Sequence, residues 1–258
     1  MSKSNPGQGG ATPLIPSWLV EDYDIEQPLP PIADPSRFTA PRSDFTRYIN
    51  SHGSSGSLKR ATSNYVRNTL RGSDNAVTRL GSARDSTSRL FSVFSGFVNQ
   101  GVSETSRIFN LGDIFGMNAS EAMLHIMDFV CPNGGRDDDG IARDSYIEAI
   151  CSLPEWDNEG IESLSPTELL AFIEIYMANV VEYRLLNDIG NKIIILPDDI
   201  ELVESYHQQI KDFISGAVAD AISALAVDIR QINTSQTRSI TDDIYRKSYS
   251  ILESWEGY

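Results

Sequence analysis

The strongest structural signal in the chain is the sequence SPTELLAFIEIYMANVVEYRL (165–185). It opens as helices commonly do, because Ser165 can cap the helix, Pro166 suits its first position and Glu168 is the acid three residues after the cap. The residues that follow are apolar on nearly all sides of the predicted helix. A helix of that kind normally lies at the centre of a protein, so we place it at the middle of a helical bundle.

Amphipathic patterns on both sides of this segment predict further helices. Asn118 lies three residues before Glu121 and resembles the cap of one of them, and Gly72 suits the end of another. The β-branched run 192–196 is too isolated to form a sheet. The chain shows no series of strands, so we predict an all-α fold, an irregular helical bundle preceded by an extended arm. The predicted helices cover residues 42–51, 58–70, 74–80, 82–98, 118–130, 141–153, 165–185, 197–229 and 237–255.

The first 41 residues differ in composition from this helical body. Eight of the 12 prolines of the chain lie there, and proline lacks an N–H donor and disfavours the helical conformation of the residue before it. Large apolar residues run through the same segment, so we expect an extended arm that lies on a surface. The predicted domains are therefore a proline-rich N-terminal arm over residues 1–41 and a helical domain over residues 42–258.

Two interpretations of the arm remain open. In the first, the arm wraps over its own body and packs Trp18 and Leu19 against it. In the second, the segment MSKSNPGQGG (1–10) enters a cleft of another protein, where its glycines keep the backbone slim. Both can hold, with the tip presented and the Trp18 region anchored. The residues assigned to partner binding are Pro13, Leu14, Ile15, Pro16, Trp18 and Leu19.

Charge is distributed unevenly along the helical domain. Residues 42–110 contain ten basic and four acidic residues, whereas residues 111–258 contain nine basic and 27 acidic ones. The formal charges of these parts are +6 and −18, in a chain whose net charge is −15. Like charges of that number in the second part disfavour nonspecific nucleic-acid binding there. The helical domain therefore divides into basic helices over 42–110 and an acidic bundle over 111–258.

The basic part has three interpretations. It can contact phosphates, although no aromatic residues are interleaved among its basic residues to stack on bases. It can dock on an acidic surface, either its own second half or another protein. It can also be a solvated helical face. The basic residues considered for a contact face are Lys59, Arg60, Arg67, Arg71, Arg79, Arg84 and Arg89.

Signals for catalysis and for a bound metal are weak. His52, His125 and His207 are far apart in sequence; we expect His125 in the core and His207 at the surface. Cys131 and Cys151 each lack the CxxC partner of a zinc site. No glycine-rich loop ends in lysine followed by serine or threonine, as a phosphate-binding loop would. We therefore predict no enzymatic activity, no metal and no cofactor.

The acidic run Asp137–Asp139, followed by Gly140, invites comparison with a calcium-binding EF-hand loop. If Gly140 were position six of such a loop, positions one and twelve would be Gly135 and Tyr146, where acidic residues are needed. The comparison therefore fails. We interpret residues 132–140 as a solvated loop between two helices.

The expected location is the cytoplasm. Two cysteines fit a reducing compartment. The sequence shows no basic start followed by an apolar run, as in a signal peptide, and no apolar segment approaches the ~18 residues of a membrane span. We therefore expect a cytoplasmic protein that does not contact a membrane.

Several segments occur in a specific order along nearly the whole chain. They are GGATPLIPSW (9–18), PLPP (28–31), RFTAPRSDFTRYI (37–49), LKRATSNYVR (58–67), TRLGSARDSTSRLF (78–91), VCPNGGRDDDGIARDSYIEAI (130–150) and WEGY (255–258). In this order they resemble the QatB family of the bacterial Qat anti-phage defence system. The resemblance implies a defence component without a catalytic site of its own.

The resemblance also implies partners. Qat systems combine such a protein with an ATPase, a QueC-like enzyme (QatC) and a TatD-like nuclease. QueC-like enzymes activate a carboxylate with ATP and amidate it, and those in defence systems look like protein modifiers that couple a deazaguanine to an N-terminal amine. The resemblance therefore implies that this chain is the substrate and stable partner of the QueC-like enzyme.

The acceptor of such a modification has several candidates. Sequences of the family usually begin Met-Gly with a tip rich in serine and threonine, whereas this chain begins Met1-Ser2-Lys3. An α-amino group, with a pKa of about 7.7–8.0, is neutral far more often than a lysine amine at about 10.4, which favours the terminus over Lys3. The acceptor candidates are Ser2 after removal of Met1, and Gly7, Gly9 or Gly10 after cleavage.

Two alternative functions stay open beside this one. The first is a nucleic-acid-binding module that uses the basic helices over residues 59–89, and it predicts strongly salt-dependent binding. The second is a pure scaffold for the ATPase and the nuclease, without modification of the arm.

Overall fold

The computed structural model describes residues 35–135, 137–190 and 200–254. Within these ranges the chain forms ten α-helices, one π-helix and four short 3-10 helices, and no β-strand. The predicted all-α class is confirmed, whereas the run at 192–196 lies outside the described residues. The α-helices are α1 (Thr39–Asn50), α2 (Ser55–Asn64), α3 (Ser73–Thr78), α4 (Ser82–Gln100), α5 (Val102–Phe109), α6 (Ala119–Val130), α7 (Asp137–Cys151), α8 (Pro166–Gly190), α9 (Ile200–Ala224) and α10 (Thr237–Glu253).

Helix α8 takes the central position that its sequence predicts. The amide of Ser165 donates to Glu168 Oε2 at 2.7 Å, and the amide of Glu168 donates to Ser165 Oγ at 3.3 Å. Both hydrogen bonds of the predicted capping box are therefore present. Beyond this start α8 packs against α4, α7 and α9. Three neighbours explain why a helix that is apolar around most of its circumference is stable here.

Phe172 lies where these helices meet. Its ring stacks on Trp156 with centroids 5.2 Å apart, and edge contacts join it to Tyr146 of α7 at 5.5 Å and to Phe94 of α4 at 5.7 Å. All four side chains are buried. Such aromatic pairs contribute beyond the area they bury, so this cluster ties α4 and α7 to α8.

The basic and acidic parts of the sequence share one core. Residues from Ser36 onward form a single compact unit. Tyr206 Oη of α9 donates to the carbonyl of Ile49 in α1 at 3.1 Å, and the rings of Tyr48 and Tyr206 are 5.5 Å apart. Helices α2, α3 and α4 all contact α10. The two parts are thus regions of sequence with different charge rather than separate bodies.

Helix α1 begins earlier than the sequence indicated. A 3-10 helix, Pro35–Phe38, leads directly into α1 at Thr39, so Pro41 lies in the first turn of α1. Proline is tolerated there because the first amides of a helix have no partner within it. Residues 35–41, which were expected in the extended arm, are therefore helical. An extended conformation stays a prediction for residues 1–34.

The predicted solvated loop over residues 132–140 is wrong for its last four residues. Helix α7 begins at Asp137, and acidic residues are stabilised in the first turn of a helix by its dipole. Asp139 is only 5% exposed and accepts a hydrogen bond from Ser82 Oγ of α4. Asp138 pairs with Arg184 of α8 at 2.6 Å. The acidic run is therefore a helix start that anchors α7 to α4 and α8.

The expected core position of His125 is also wrong. The apolar side of α6 is formed by Ala122, Met123 and Ile126, which are buried, and His125 lies exposed between them in sequence. His207, expected at the surface, is exposed on α9. A single histidine in an apolar stretch therefore did not reveal its side of the helix.

Helix α9 is shorter than predicted at its C-terminal end. It ends at Ala224 and not near residue 229. Ala226 follows with a φ of 48°, in the left-handed region that stops a helix. A short 3-10 helix, Ile229–Gln231, then leads toward α10.

Replacing Phe172 by alanine tests the central role of α8. The change removes the aromatic contacts and leaves a cavity, so we expect the free energy of unfolding to fall by about 3–5 kcal/mol. Phe115, which is 61% exposed, provides the control, and Phe115→Ala should cost less than about 0.5 kcal/mol. Urea denaturation followed by circular dichroism measures both. Equal losses in the two variants would contradict the position assigned to Phe172.

Candidate functional site

The acceptor candidates and the partner-binding residues of the arm lie outside the described residues. Their assignment therefore stays a prediction. They are Ser2, Gly7, Gly9, Gly10, Pro13, Leu14, Ile15, Pro16, Trp18 and Leu19.

Among the seven basic residues considered for a contact face, Arg84 and Arg89 make contacts inside the protein. Arg84 of α4 pairs with Asp242 of α10 through both Nε–Oδ1 and Nη2–Oδ2 contacts. This hydrogen bonding raises the pKa of Arg84. Arg89 Nη1 donates to the carbonyl of Val130 at 3.1 Å. Both arginines therefore join helices of the same chain.

The pair formed by Arg84 belongs to a charged seam between α10 and the helices α3 and α4. The neighbouring Asp85 pairs with Arg238 of α10. Asp74 of α3 pairs with Arg246 of α10 at 2.7 Å. Acidic and basic side chains thus occur on both sides of the charged seam. These contacts correspond to one of the three interpretations of the basic part, in which it docks on the acidic second half of the same chain.

The other five basic residues are spread over several segments. Lys59 and Arg60 lie on α2, and Arg67 lies on the π-helix, Tyr65–Leu70, that follows α2 directly. Arg71 comes next in the chain, and Arg79 follows α3. A nucleic-acid-binding face over residues 59–89 would therefore have at most these five basic residues.

A polar cluster lies between the π-helix and α8. Tyr65 Oη donates to Asp188 Oδ2 at 2.8 Å, and Arg184 Nε is 3.5 Å from the same carboxylate oxygen. Burial raises the pKa of Tyr65 well above its usual value, and the charge of Asp188 raises it further. The phenol is therefore a stable hydrogen-bond donor at neutral pH. π-Helices occur frequently at functional sites, which directs attention to this side of the molecule.

Glu182 is a buried titratable group of α8. It is 6% exposed, and desolvation by burial raises its pKa to about 7. The charge of Lys211 opposes this shift, whereas those of Glu148 and Asp212 add to it. Lys211 Nζ itself pairs with Glu148 at 3.0 Å. Glu182 therefore holds a proton in the folded protein at pH values where an ordinary glutamate is ionised.

The described helices offer neither a metal site nor a membrane span. The residues that the structure describes contain no group of three or more His, Cys, Asp or Glu side chains able to hold a metal ion. Cys131 is buried and Cys151 exposed, both as free thiols, and burial raises the pKa of the Cys131 thiol. Among the described helices none has the length and apolar character needed to cross a membrane.

Exposed apolar side chains on α6 and α7 were not singled out in the sequence. Leu124 is 51% and Ile147 is 42% exposed. Arg143 of α7 pairs with Asp128 of α6 at 2.8 Å, four residues from each of them. Because residues four apart share a side of a helix, Leu124 and Ile147 lie on the same side of the α6–α7 pair. In the sequence, the exposure of these two side chains is indicated only by their position outside the apolar stripe of each helix.

The described residues define an all-α helical domain whose helices are joined by an aromatic core and by internal ion pairs. Residues 72–252 match the family model of QatB, described as Qat anti-phage system associated protein QatB. The match covers well over half of the chain, so the chain belongs to the QatB family and is a component of an anti-phage defence system. The resemblance stated from the sequence is therefore confirmed. We found no significant similarity to a curated protein or to a solved structure.

The partly buried pair of Arg84 and Asp242 should couple energetically. Their side chains are 24% and 17% exposed, so a double-mutant cycle with alanine at each position should give a coupling of about 1–2 kcal/mol in the free energy of unfolding. The pair of Arg107 and Glu104, whose side chains are 72% and 46% exposed, is the control and should show no resolvable coupling. If the coupling energy of Arg84 and Asp242 is as small as that of the control pair, the charged seam does not have the stabilising role assigned to it.

The raised pKa of Glu182 should make stability depend on pH. Below its ordinary pKa of 4.5 the group is protonated in both states. As the pH rises toward 7, the unfolded state loses the proton while the folded state keeps it, so stability falls. Glu182→Gln removes this loss and should stabilise the protein by about 1–2 kcal/mol near pH 8, after allowance for partial solvent access.

Urea denaturation near pH 4 and near pH 8 measures this effect. Near pH 4 the Glu182→Gln variant and the original chain should be similar in stability, because Glu182 is then neutral in both states. A gain of the same size at both pH values would indicate that the carboxylate charge of Glu182 is not responsible.

Proposed function

We propose that this chain is the non-catalytic component of its Qat system that binds the QueC-like enzyme, QatC, through the N-terminal arm. In this proposal the tip of the arm is the acceptor for conjugation to a deazaguanine. The helical domain serves as the folded platform that carries the arm. Membership of the QatB family is the observation that supports it, because it makes the chain part of an anti-phage defence system.

The division between platform and arm is supported by where the family match lies. Residues 72–252 match, and they cover most of α3 to α10. The arm precedes this region and carries eight of the 12 prolines. Proline removes backbone donors and restricts the chain to extended conformations, which suits a segment that another protein holds by its side chains. Trp18 and Leu19 supply large apolar surface for such a contact.

The first described residues after the arm are held to the helical domain. Thr69 Oγ1 of the π-helix donates to the carbonyl of Arg37 at 3.0 Å. The 3-10 helix Pro35–Phe38 then runs directly into α1. In the proposal, the helical domain therefore begins immediately after the arm.

The proposed reaction follows the chemistry of ATP-dependent amidation. The QueC-like enzyme joins the carboxylate of a deazaguanine to AMP and releases pyrophosphate. A neutral amine of the arm then attacks the acyl adenylate, an amide bond forms, and AMP leaves together with the proton of the amine. An α-amino group supplies the neutral form more readily than a lysine side chain, because its pKa is about 7.7–8.0 compared with about 10.4. The candidate acceptors are therefore the α-amino groups of Ser2, after removal of Met1, and of Gly7, Gly9 or Gly10, after cleavage.

Intact-mass measurement after co-expression with the QueC-like enzyme tests the modification. We expect the chain to gain the mass of one deazaguanine acyl group, and deletion of residues 2–12 to abolish this gain while the helical circular dichroism spectrum is retained. Lys3→Arg is the matched control, because it removes the side-chain amine and keeps the charge. The mass gain should persist in this variant.

The outcomes separate the proposal from its alternatives. An unchanged mass, with ATP and a deazaguanine precursor present, would refute the conjugation. Loss of the mass gain in Lys3→Arg would move the acceptor to the lysine side chain. If Trp18→Ala leaves co-purification with the QueC-like enzyme intact while the ATPase and the nuclease also co-purify, the pure scaffold is favoured.

A further inference from the structure

Three arginines from separate segments lie beside the π-helix. Arg37 lies in the first 3-10 helix, Arg71 follows the π-helix and Arg79 follows α3. The hydrogen bond from Thr69 to the carbonyl of Arg37 holds the first of these segments against the π-helix. Desolvation lowers the pKa of Arg79, and the charges of Arg37, Arg184 and Arg71 lower it further, whereas the charge of Asp188 opposes the shift. We call Arg37, Arg71 and Arg79 the arginine cluster.

The carboxylates next to the arginine cluster already have partners. Asp188 and Asp138 both pair with Arg184, at 3.5 Å and 2.6 Å. Glu253 accepts a hydrogen bond from the amide of Ser73 at 3.3 Å. Within the ranges that the structure covers, no member of the arginine cluster forms an ion pair. Asp188 also attracts Arg79, but it is shared with Arg184 and Tyr65, so the cluster keeps an excess of positive charge.

One local feature indicates that this place is shaped for a ligand. Arg37 Nε is buried and has no hydrogen-bond partner among the described residues, and a buried donor without an acceptor is costly. Arg71, by contrast, has its φ of 64° because it is the left-handed cap that ends the π-helix, where the amide of Gly72 donates to the carbonyl of Val66 at 2.9 Å.

The guanidinium group of Arg37 is also held in place from one side. It lies over the ring of Phe38 with 4.6 Å between Cζ and the ring centroid, and Arg42 lies over the same ring at 5.2 Å. Contact with an aromatic face leaves the hydrogen-bonding edge of the guanidinium group available. Arg37 is therefore partly preorganised for an acceptor that approaches along that edge.

We propose that Arg37, Arg71 and Arg79 together bind the phosphate group of a small phosphorylated ligand. Guanidinium groups match phosphate oxygens in a two-pronged geometry and stay charged throughout the physiological pH range. A bound phosphate neutralises the repulsion among the three cations and gives the buried Nε of Arg37 an acceptor. This site does not depend on the proposed role of the arm.

A compact ligand fits the surroundings better than a nucleic acid does. The chain has a net charge of −15, and the acidic side chains of Asp74 and Glu253 lie close to the cluster, since Asp74 is in α3 and Glu253 accepts from Ser73. These acids repel a polyanion that runs past the cluster. A single phosphate or pyrophosphate contacts only the arginines.

Isothermal titration calorimetry of the full chain with sodium pyrophosphate, at constant ionic strength, tests the proposal. We expect binding at one site, and a loss of affinity of about tenfold or more in Arg71→Gln and in Arg79→Gln, because each change removes a charge-assisted hydrogen bond. Arg71 is exposed, so its substitution is compatible with folding, and a thermal melt of each variant verifies this.

Arg60→Gln is the matched control. It removes the same charge from an exposed position on α2, roughly 15 Å from Arg71 along the helix at the usual rise per residue. Its affinity for pyrophosphate should equal that of the original chain. An equal loss in this variant would overturn the site, because it would show nonspecific attraction.

The remaining outcomes are equally decisive. Absence of pyrophosphate binding, or unchanged affinity in a folded Arg71→Gln variant, would overturn the proposal. A single-stranded DNA oligonucleotide serves as a second probe. Binding of this oligonucleotide that depends on Arg71 and Arg79, without binding of pyrophosphate, would replace the small ligand by a nucleic acid.

Discussion

The burial of α8 on several sides at once is the constraint on which the described structure depends. A helix that is apolar around most of its circumference needs neighbours on most of its faces, and α4, α7 and α9 supply them. Because α4 comes from the basic part of the sequence, this requirement prevents the basic and acidic parts from forming separate bodies. The ring of Phe172, in contact with Phe94, Tyr146 and Trp156, marks the point where the parts join. The core thereby produces a rigid platform.

Charge serves different purposes on different sides of this platform. Along α10, the pairs of Arg84 with Asp242 and of Arg246 with Asp74 hold helices together. A basic segment that resembles a nucleic-acid surface in the sequence is thus in part an internal contact. Beside the π-helix, Arg71 and Arg79 form no ion pair among the described residues; Arg71 is exposed and Arg79 is partly buried.

Much of the fold follows from the sequence, because helix signals are local. The capping pair of Ser165 and Glu168 and the apolar residues after it gave the central helix correctly. The errors concern places where a distant partner decides. Asp139 is helical and buried because Ser82 of another helix donates to it, and no local pattern reveals such a contact. His125 was placed on the wrong side of α6. The arginine cluster brings Arg37 together with Arg71 and Arg79, which lie 34 and 42 residues further along the chain, and only the fold could do this.

The central claim is that the arm, and not the platform, makes the contact with the QueC-like enzyme. Hydrogen–deuterium exchange of the full chain with and without that enzyme tests it most directly, because each amide reports on its own segment. The account predicts that the partner slows exchange in the segment around Trp18 and Leu19 and leaves α8 unchanged. Protection confined to α2 and the π-helix, with no change over residues 1–34, would contradict it.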